Sequence, residues 1–200
     1  LSLRRQRQMC KETAITELTY NCFSNTKIKQ VIFGQNITTL YVSPVSTFWN
    51  AGPFYKCLQL ESVELSNSII DLGNATFFGC TALKSINIPD SVEIWGSQVF
   101  DTCTSLVSIN LPQSLKTIKS GAFAGIYNIL PEEINLPNLE TLEGFFKDST
   151  SVKRVTSLGN ITSLPTDAFR NCTSLVSINF PDSLTRLLYT SPSPQTAANL

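Results

Sequence analysis

The sequence predicts a β-solenoid, in which about seven turns of 23 residues stack and their strands run parallel. Phenylalanine recurs every 23 residues, and cysteine follows it by three residues in several copies. Between these positions apolar and polar residues alternate, which is typical of half-buried strands. A period of 20 to 50 residues over several copies indicates a solenoid, because each turn can bury its apolar side only against another turn.

The period defines two columns of predicted core residues. The phenylalanine column is Phe54, Phe77, Phe100, Phe123, Phe146 and Phe169. The cysteine column is Cys57, Cys80, Cys103 and Cys172, with Ile126 and Ser149 at the two remaining positions. We expect both columns to be buried structural ladders, because free cysteine behaves as a small apolar residue. Turns about 4.8 Å apart permit disulfides, but Cβ atoms in a ladder run parallel rather than toward each other.

Residues 103–123, CTSLVSINLPQSLKTIKSGAF, show one complete unit, and nearly the same first twelve residues occur at 80–91 and 172–183. Leu106, Ile109 and Leu111 alternate as the inward side of a strand. Pro112 follows, and its missing amide hydrogen suits a strand end. The segment SLKTIKSGAF returns the chain inward, so each unit is one turn.

Two irregularities interrupt the period. In the fifth unit Ile134 and Leu136 arrive two residues late. Near the start, the stretch YVSPVSTFWNAG makes the step to Cys57 nine residues too long. We therefore predict a solenoid over residues 13–187 with a loop insertion at 41–53. Such a loop is either a contact site or a tolerated surface insertion.

The two ends do not continue the repeat. RRQRQMC and LLYTSPSP resemble translated sequencing-adapter sequence, and the alternatives are an Arg-rich arm and a Pro/Ser linker. We expect residues 1–12 and 188–200 to be disordered or artefactual. Because the first residue is not Met, we interpret the chain as part of a longer one.

Composition excludes several function classes. Fifteen basic and fifteen acidic residues cancel, so no electrostatic reason favours nucleic acid as a partner. No run of 18 apolar residues is present, and we expect no membrane-spanning segment. The chain has no histidine, which removes the usual nucleophile systems and the commonest metal ligand. We therefore expect no catalytic residues, no metal site, no cofactor and no enzyme activity.

The outward positions of the predicted strands form two polar columns, and these are the candidate ligand-binding residues. One column is Ser62, Ser85, Ser108, Arg154 and Ser177, and the other is Glu64, Asn87, Asn110, Asn135, Thr156 and Asn179. Solvent-facing strand positions are polar in any soluble protein, so a plain surface explains them too. Apart from Arg154 they lack the aromatic and arginine anchors of binding hot spots. We expect any binding here to use many weak contacts over several turns.

The unit CTSLVSINLPQSLKTIKSGAF resembles the BspA-type leucine-rich repeat, with its pattern Phe-x-x-Cys-Thr-x-Leu-x-x-Ile-x-Leu-Pro-x-Ser-Leu-x-x-Ile. The resemblance covers residues 25 to 187 and implies a leucine-rich repeat solenoid. Similar repeats occur in surface proteins of host-associated bacteria and parasitic protists. The resemblance therefore implies an extracellular or cell-surface location and an adhesin-like function, with a protein or glycan partner on another cell or in host matrix. The alternative is a structural spacer with no ligand of its own.

Overall fold

The computed structural model describes residues 16–19, 21–40, 52–144 and 146–187. Eleven short strands and one 3₁₀ segment, Tyr127–Ile129, lie in this part of the chain. The strands are β1 (Gln30–Ile32), β2 (Ser62–Glu64), β3 (Ser85–Asn87), β4 (Ile94–Trp95), β5 (Thr117–Ile118), β6 (Glu133–Asn135), β7 (Thr141–Leu142), β8 (Arg154–Ser157), β9 (Ser163–Leu164), β10 (Ser177–Ile178) and β11 (Arg186–Leu187).

The predicted parallel stacking is confirmed on a side of the solenoid that we call the first strand face. Strands β1, β2 and β3 pair in parallel, with Val63 opposite Ile86. A single bridge joins Ile86 to Ile109, and the parallel sheet β6–β8–β10 follows. Within the described ranges no strand pairing joins Ile109 to β6. The interruption falls where the fifth unit is two residues late.

A second strand face is formed by the later part of each turn. Strands β4, β5 and β7 pair in parallel, and β9 pairs with β11. Within the described part of the chain, β7 and β9 are not paired. Pro165 supplies one reason, because it follows β9 and has no amide hydrogen to donate to the preceding turn.

The phenylalanine and cysteine columns lie in the core as predicted, except that Phe169 at the end of its column is only half-buried. Phe54, Phe77 and Phe100 stack with ring centroids 5.8 and 5.7 Å apart and nearly parallel planes. Trp95 contacts the rings of both Phe100 and Phe123. The file continues through the pairs Phe123–Phe146 and Phe146–Phe169, at 5.7 and 5.5 Å. The four cysteines of the column are buried and free.

The number of turns is lower than predicted. About five turns are regular, those between Phe54 and Phe169, rather than about seven. The last described turn is also less buried than the sequence pattern indicated, since Phe180 and Leu187 are 41% and 46% exposed. No later turn lies among the described residues to cover them.

The predicted insertion at 41–53 falls mostly outside the described residues, as do the predicted end segments 1–12 and 188–200. Strand partners on either side show its effect on register. Val31 pairs with Val63, a step of 32 residues, whereas Val63 pairs with Ile86, a step of 23. Gly52 and Pro53, the last two residues of the predicted insertion, are buried.

Candidate protein-binding face

The first strand face displays the predicted polar columns to solvent. Ser85, Ser108, Arg154 and Ser177 are exposed and form the first column, in which Ser85 pairs with Ser62 and Arg154 pairs with Ser177. Asn87, Asn110 and Asn179 are exposed in the second column, and Asn135 is half-buried. The residues of the two columns alternate along each strand with buried, inward-facing residues. The stacking of the buried residues therefore also sets the positions of the polar ones.

The side chain of Asn110 is bound to the neighbouring turn. Its Nδ2 donates to the carbonyl of Ile88 at 2.7 Å, and its Oδ1 accepts from the amide of Ile88 at 2.8 Å. Asn179 similarly donates to the carbonyl of Thr156, at 3.3 Å. These side-chain hydrogen bonds satisfy backbone N–H and C=O groups that the short strand pairing does not satisfy. Asn110 and Asn179 therefore contribute to the stacking of turns as well as to the surface.

The structure corrects the second column at one position. Asn135 pairs with Ser157 rather than with Thr156, because the register shifts between Ile134 and Asn135. Thr156 instead donates to the Glu133 carboxylate at 3.0 Å. Ile134 lies two residues later in the sequence than the period requires, which indicated an irregularity. The resulting change in which residues pair is seen only in the structure.

A further column, which we call the rim column, borders the first strand face. It has two parts, one on each side of the interruption in strand pairing. Glu61, Lys84 and Val107 precede Ser62, Ser85 and Ser108, and Glu132, Lys153 and Val176 precede Glu133, Arg154 and Ser177, in which Glu133 pairs with Arg154. Lys84 forms an ion pair with Glu61 at 3.1 Å, and Lys153 forms one with Glu132 at 2.8 Å. Each lysine donates a hydrogen bond to its partner and lowers the pKa of that carboxyl. Both pairs are exposed, so they add little to stability.

The two valines of the rim column are the most exposed large apolar residues described. Val107 is 74% exposed and Val176 is 84% exposed. The sequence pattern does not distinguish them from other strand residues, although they share the octapeptide CTSLVSIN at 103–110 and 172–179. The sequence feature that could have identified them is that each directly precedes a serine predicted to face outward. They give the face apolar contact points that the polar columns lack.

The cysteine ladder is chemically unsuited to catalysis or metal binding. Burial raises the pKa of the Cys57, Cys80 and Cys172 thiols, and raises that of Cys103 to about 12. The nucleophilic and metal-binding form is the thiolate, which this burial disfavours. In the described ranges no group of three or more His, Cys, Asp or Glu side chains is placed to hold a metal ion. No helix in those ranges is long and apolar enough to span a membrane.

A shallow cleft lies on the second strand face, away from the polar columns. It has a volume of about 390 Å³ and opens where β7 and β9 fail to pair. Its lining is Glu140, Thr141, Leu142, Glu143, Thr162, Ser163 and Pro165. None of the predicted site residues contributes to it.

Comparison with known proteins supports the fold. The BspA type leucine rich repeat region matches six copies in the chain, over residues 6–50, 47–143 and 140–191. A leucine-rich repeat protein of T. pallidum (TpLRR) is similar in structure, with 23% sequence identity and a TM-score of 0.55. The match covers 86% of this chain and 67% of that one.

Two further solved structures are similar at lower scores. A leucine rich cell surface protein from Faecalibacterium prausnitzii A2-165 is 22% identical, with a TM-score of 0.45, and the match covers 80% of this chain and 50% of that one. A leucine-rich repeat protein from Eubacterium ventriosum is 18% identical with a TM-score of 0.47, covering 90% of this chain and 50% of that one. The chain thus spans half the length of these two proteins. None of the curated proteins matches the chain.

Proposed function

Since the chain belongs to the BspA-type leucine-rich repeat family, we propose that it is a non-enzymatic binding module of a cell-surface or secreted protein. Its partner is a protein or glycan of a host or of a neighbouring cell. The first strand face is the binding surface. The contacting residues are Ser85, Asn87, Ser108, Asn110, Asn135, Arg154, Ser177 and Asn179.

One observation carries this proposal. The first strand face exposes two polar columns together with Val107 and Val176, and no described segment of the chain covers it. Largely exposed apolar side chains beside hydrogen-bonding groups suit contact with a partner, because binding removes apolar surface from water. The core columns, by contrast, are buried apart from the half-buried Phe169.

The chemistry of the face suits an extended, weak contact. Serine hydroxyls and asparagine amides donate and accept hydrogen bonds, as do the hydroxyls of glycans and the backbone of proteins. Each such bond contributes only about 0.5–1.5 kcal/mol net, so useful affinity requires several turns to bind together. A repeat array provides the same groups at regular spacing.

The experiment is a binding titration of the full chain against extracellular-matrix proteins and mucin glycans. We expect saturable binding that Ser85→Glu and Ser108→Glu each reduce by at least about threefold, roughly 0.7 kcal/mol. These serines are exposed and make no side-chain hydrogen bond described in the structure, so the substitutions spare the fold.

The matched control is Ser120→Glu, an exposed serine between the two strand faces, close to the turn at Gly121. It adds the same charge without touching the first strand face. Binding that Ser120→Glu reduces as much as Ser108→Glu does would refute the assignment of the face. Absence of saturable binding to every ligand tested would favour the structural spacer.

A further inference from the structure

The last described turn of the solenoid leaves its inward side open. Leu187 pairs with Leu164 of the preceding turn, yet Leu164 is buried and Leu187 is 46% exposed. Phe180, which follows strand β10, is 41% exposed. The other inward side chains of this turn are only half-buried, namely Leu175, Ile178 and Leu184. We call the apolar surface that these five side chains form the end face.

The end face also carries unpaired strand edges. Among the described residues, β10 and β11 pair only with the preceding turn. In earlier turns the same edge is bonded. The amide of Phe33 donates to the carbonyl of Glu64 in the next turn, and that of Leu136 donates to Ser157, both at 3.0 Å. Phe180 occupies the equivalent place, two residues after an inward strand residue, and no acceptor for its amide is found in the described part of the chain.

The opposite end of the solenoid is closed. Residues 16–18 lie along the first turn, where Glu17 forms a bridge with Thr39 and the amide of Leu18 donates to the carbonyl of Thr39. Val31 and Phe33, the inward residues of that turn, are buried. The two ends therefore differ, and only the end face combines exposed core side chains with open strand edges among the described residues.

The sequence after Leu187 does not carry the pattern of a covering turn. The 23-residue period places phenylalanine at 192 and cysteine at 195, and these positions hold Pro192 and Gln195. A partner for the end face must supply apolar side chains together with a strand edge, because every other turn boundary of the solenoid uses both. An unpaired strand edge is a template for a strand of another chain.

A second copy of the chain meets these requirements. Its own end face offers the same apolar side chains and the same open edges. The last described turn, residues 172–187, has one acidic and one basic side chain, Asp182 and Arg186. Two copies therefore meet without a net charge that repels. We propose that the end face binds the end face of a second copy, so that two solenoids join end to end.

A two-fold axis normal to the first strand face describes this contact. It turns the second solenoid to point in the opposite direction and keeps the two strand faces side by side. The two copies of β10 then run antiparallel, which is a regular way for strands to pair. Because the same surface meets itself and the other end is closed, the assembly stops at two copies.

The dimer leaves the first strand face uncovered. Its polar columns in the two copies adjoin across the junction, so a ligand could contact both. The inference does not depend on the proposed function, since it rests on the end face alone.

The test measures the oligomeric state of the full chain by sedimentation velocity over a concentration series. We expect the wild type to sediment as a dimer at high concentration and to dissociate on dilution. Phe180→Glu and Leu187→Glu each place a charge in the apolar junction, which is costly to bury. Each is expected to weaken the dimer at least about tenfold. Both side chains are exposed in the single chain, so the variants are expected to fold, as circular dichroism checks.

The matched control is Val176→Glu. Val176 lies in the same turn and is 84% exposed, but it is on the first strand face rather than on the end face. The control variant is expected to dimerise like the wild type.

A photo-activated cross-linking amino acid locates the junction directly. In place of Asp182, which is exposed in the last described turn, it should give cross-links between copies to residues 172–187. In place of Gln35, which is exposed in the first turn, it should give none between copies.

Four results would overturn the proposal. The first is a wild type that remains monomeric at about 1 mM. The second is a folded Phe180→Glu or Leu187→Glu variant that dimerises as well as the wild type. The third is a Val176→Glu variant that loses the dimer as fully as they do. The fourth is cross-linking between copies from position 35 rather than 182. Loss of ligand binding without change in these results would reject the proposed function alone.

Discussion

The thiol of Cys103 donates a hydrogen bond to the backbone carbonyl of Phe77, 3.1 Å away in the preceding turn. The same bond joins three other cysteines to the preceding turn, in the pairs Cys57–Phe23, Cys80–Phe54 and Cys172–Phe146. The phenylalanine and cysteine ladders are thus linked by hydrogen bonds between neighbouring turns. Successive rings pack on each other except between Phe100 and Phe123, both of which contact Trp95, and each thiol binds the backbone that carries the ring before it.

This bond predicts an unusual order of substitutions at Cys103. Cys103→Ser keeps a donor for the Phe77 carbonyl, whereas Cys103→Val removes it from a fully buried site. The Phe77 carbonyl also accepts from the Cys80 amide at 3.0 Å and keeps that bond. We therefore expect Cys103→Val to lower the free energy of unfolding by about 0.5–1.5 kcal/mol, and Cys103→Ser by less. Equilibrium urea unfolding measures both. If apolar packing alone mattered, valine would be the milder change, and that order would contradict the account.

The same burial predicts how stability depends on pH. Folding raises the thiol pKa values above 9.0, their ordinary value, and that of Cys103 to about 12. Below pH 9 the thiols are protonated in both states. Above it the unfolded chain loses protons that the folded chain retains, so the free energy of unfolding falls as pH rises. The expected slope is about 1.4 kcal/mol per pH unit for each fully buried thiol.

Urea unfolding between pH 8 and pH 10.5 measures that slope. The control variant is Cys103→Ser, which removes one titrating thiol and keeps the hydrogen bond donor. Its slope should be shallower than that of the wild type. Equal slopes for the two proteins would show that Cys103 does not titrate as its burial requires.

The closing segment of each turn predicts a stabilising substitution. Thr102 has φ of 57°, in the left-handed region that β-branched residues disfavour, and the equivalent positions in neighbouring turns are Gly79 and Gly125. We expect Thr102→Gly to raise the free energy of unfolding by about 0.5–1 kcal/mol. Thr104→Gly, two residues away and without positive φ, should be neutral or destabilising. Thermal unfolding of both variants is sufficient, and destabilisation by Thr102→Gly would contradict the prediction.

The asparagine column predicts two different effects at equivalent positions. Asn110→Ala removes both side-chain hydrogen bonds to Ile88 and should cost about 1–2 kcal/mol. Asn87→Ala, one turn earlier, removes an exposed side chain for which the structure describes no hydrogen bond, and should cost less than about 0.5 kcal/mol. Hydrogen exchange at the Ile88 amide gives the direct readout, because only Asn110→Ala should accelerate it. Equal acceleration in both variants would rule out the pairing.

The sequence predicted the fold because period alone determines which residues stack. The positions of Phe54 through Phe169 and the parallel register of Val63 and Ile86 follow from the 23-residue step. The number of regular turns did not follow, since it depends on how the ends pack. Nor did the role of Trp95, which occupies a position where the next turn has Ile118 and contacts the rings of two turns.

The candidate site was predicted less fully. Alternation along the strands indicated that Ser108 and Asn110 face outward, but not that Asn110 binds the backbone of Ile88. The rim column was missed because Val107 and Val176 look like ordinary strand residues in the sequence. Their exposure depends on where each strand begins, and periodicity alone does not define that boundary.

The stacking of turns in register is tested most directly by nuclear Overhauser effects between phenylalanine rings. In protein labelled only at phenylalanine, Phe77 should give cross-peaks to both Phe54 and Phe100, whose ring centroids lie 5.8 and 5.7 Å away. Phe54 and Phe100 are two turns apart and should give none to each other. Cross-peaks that skip Phe77, or a Phe77 ring with no aromatic neighbour, would contradict the stacked solenoid.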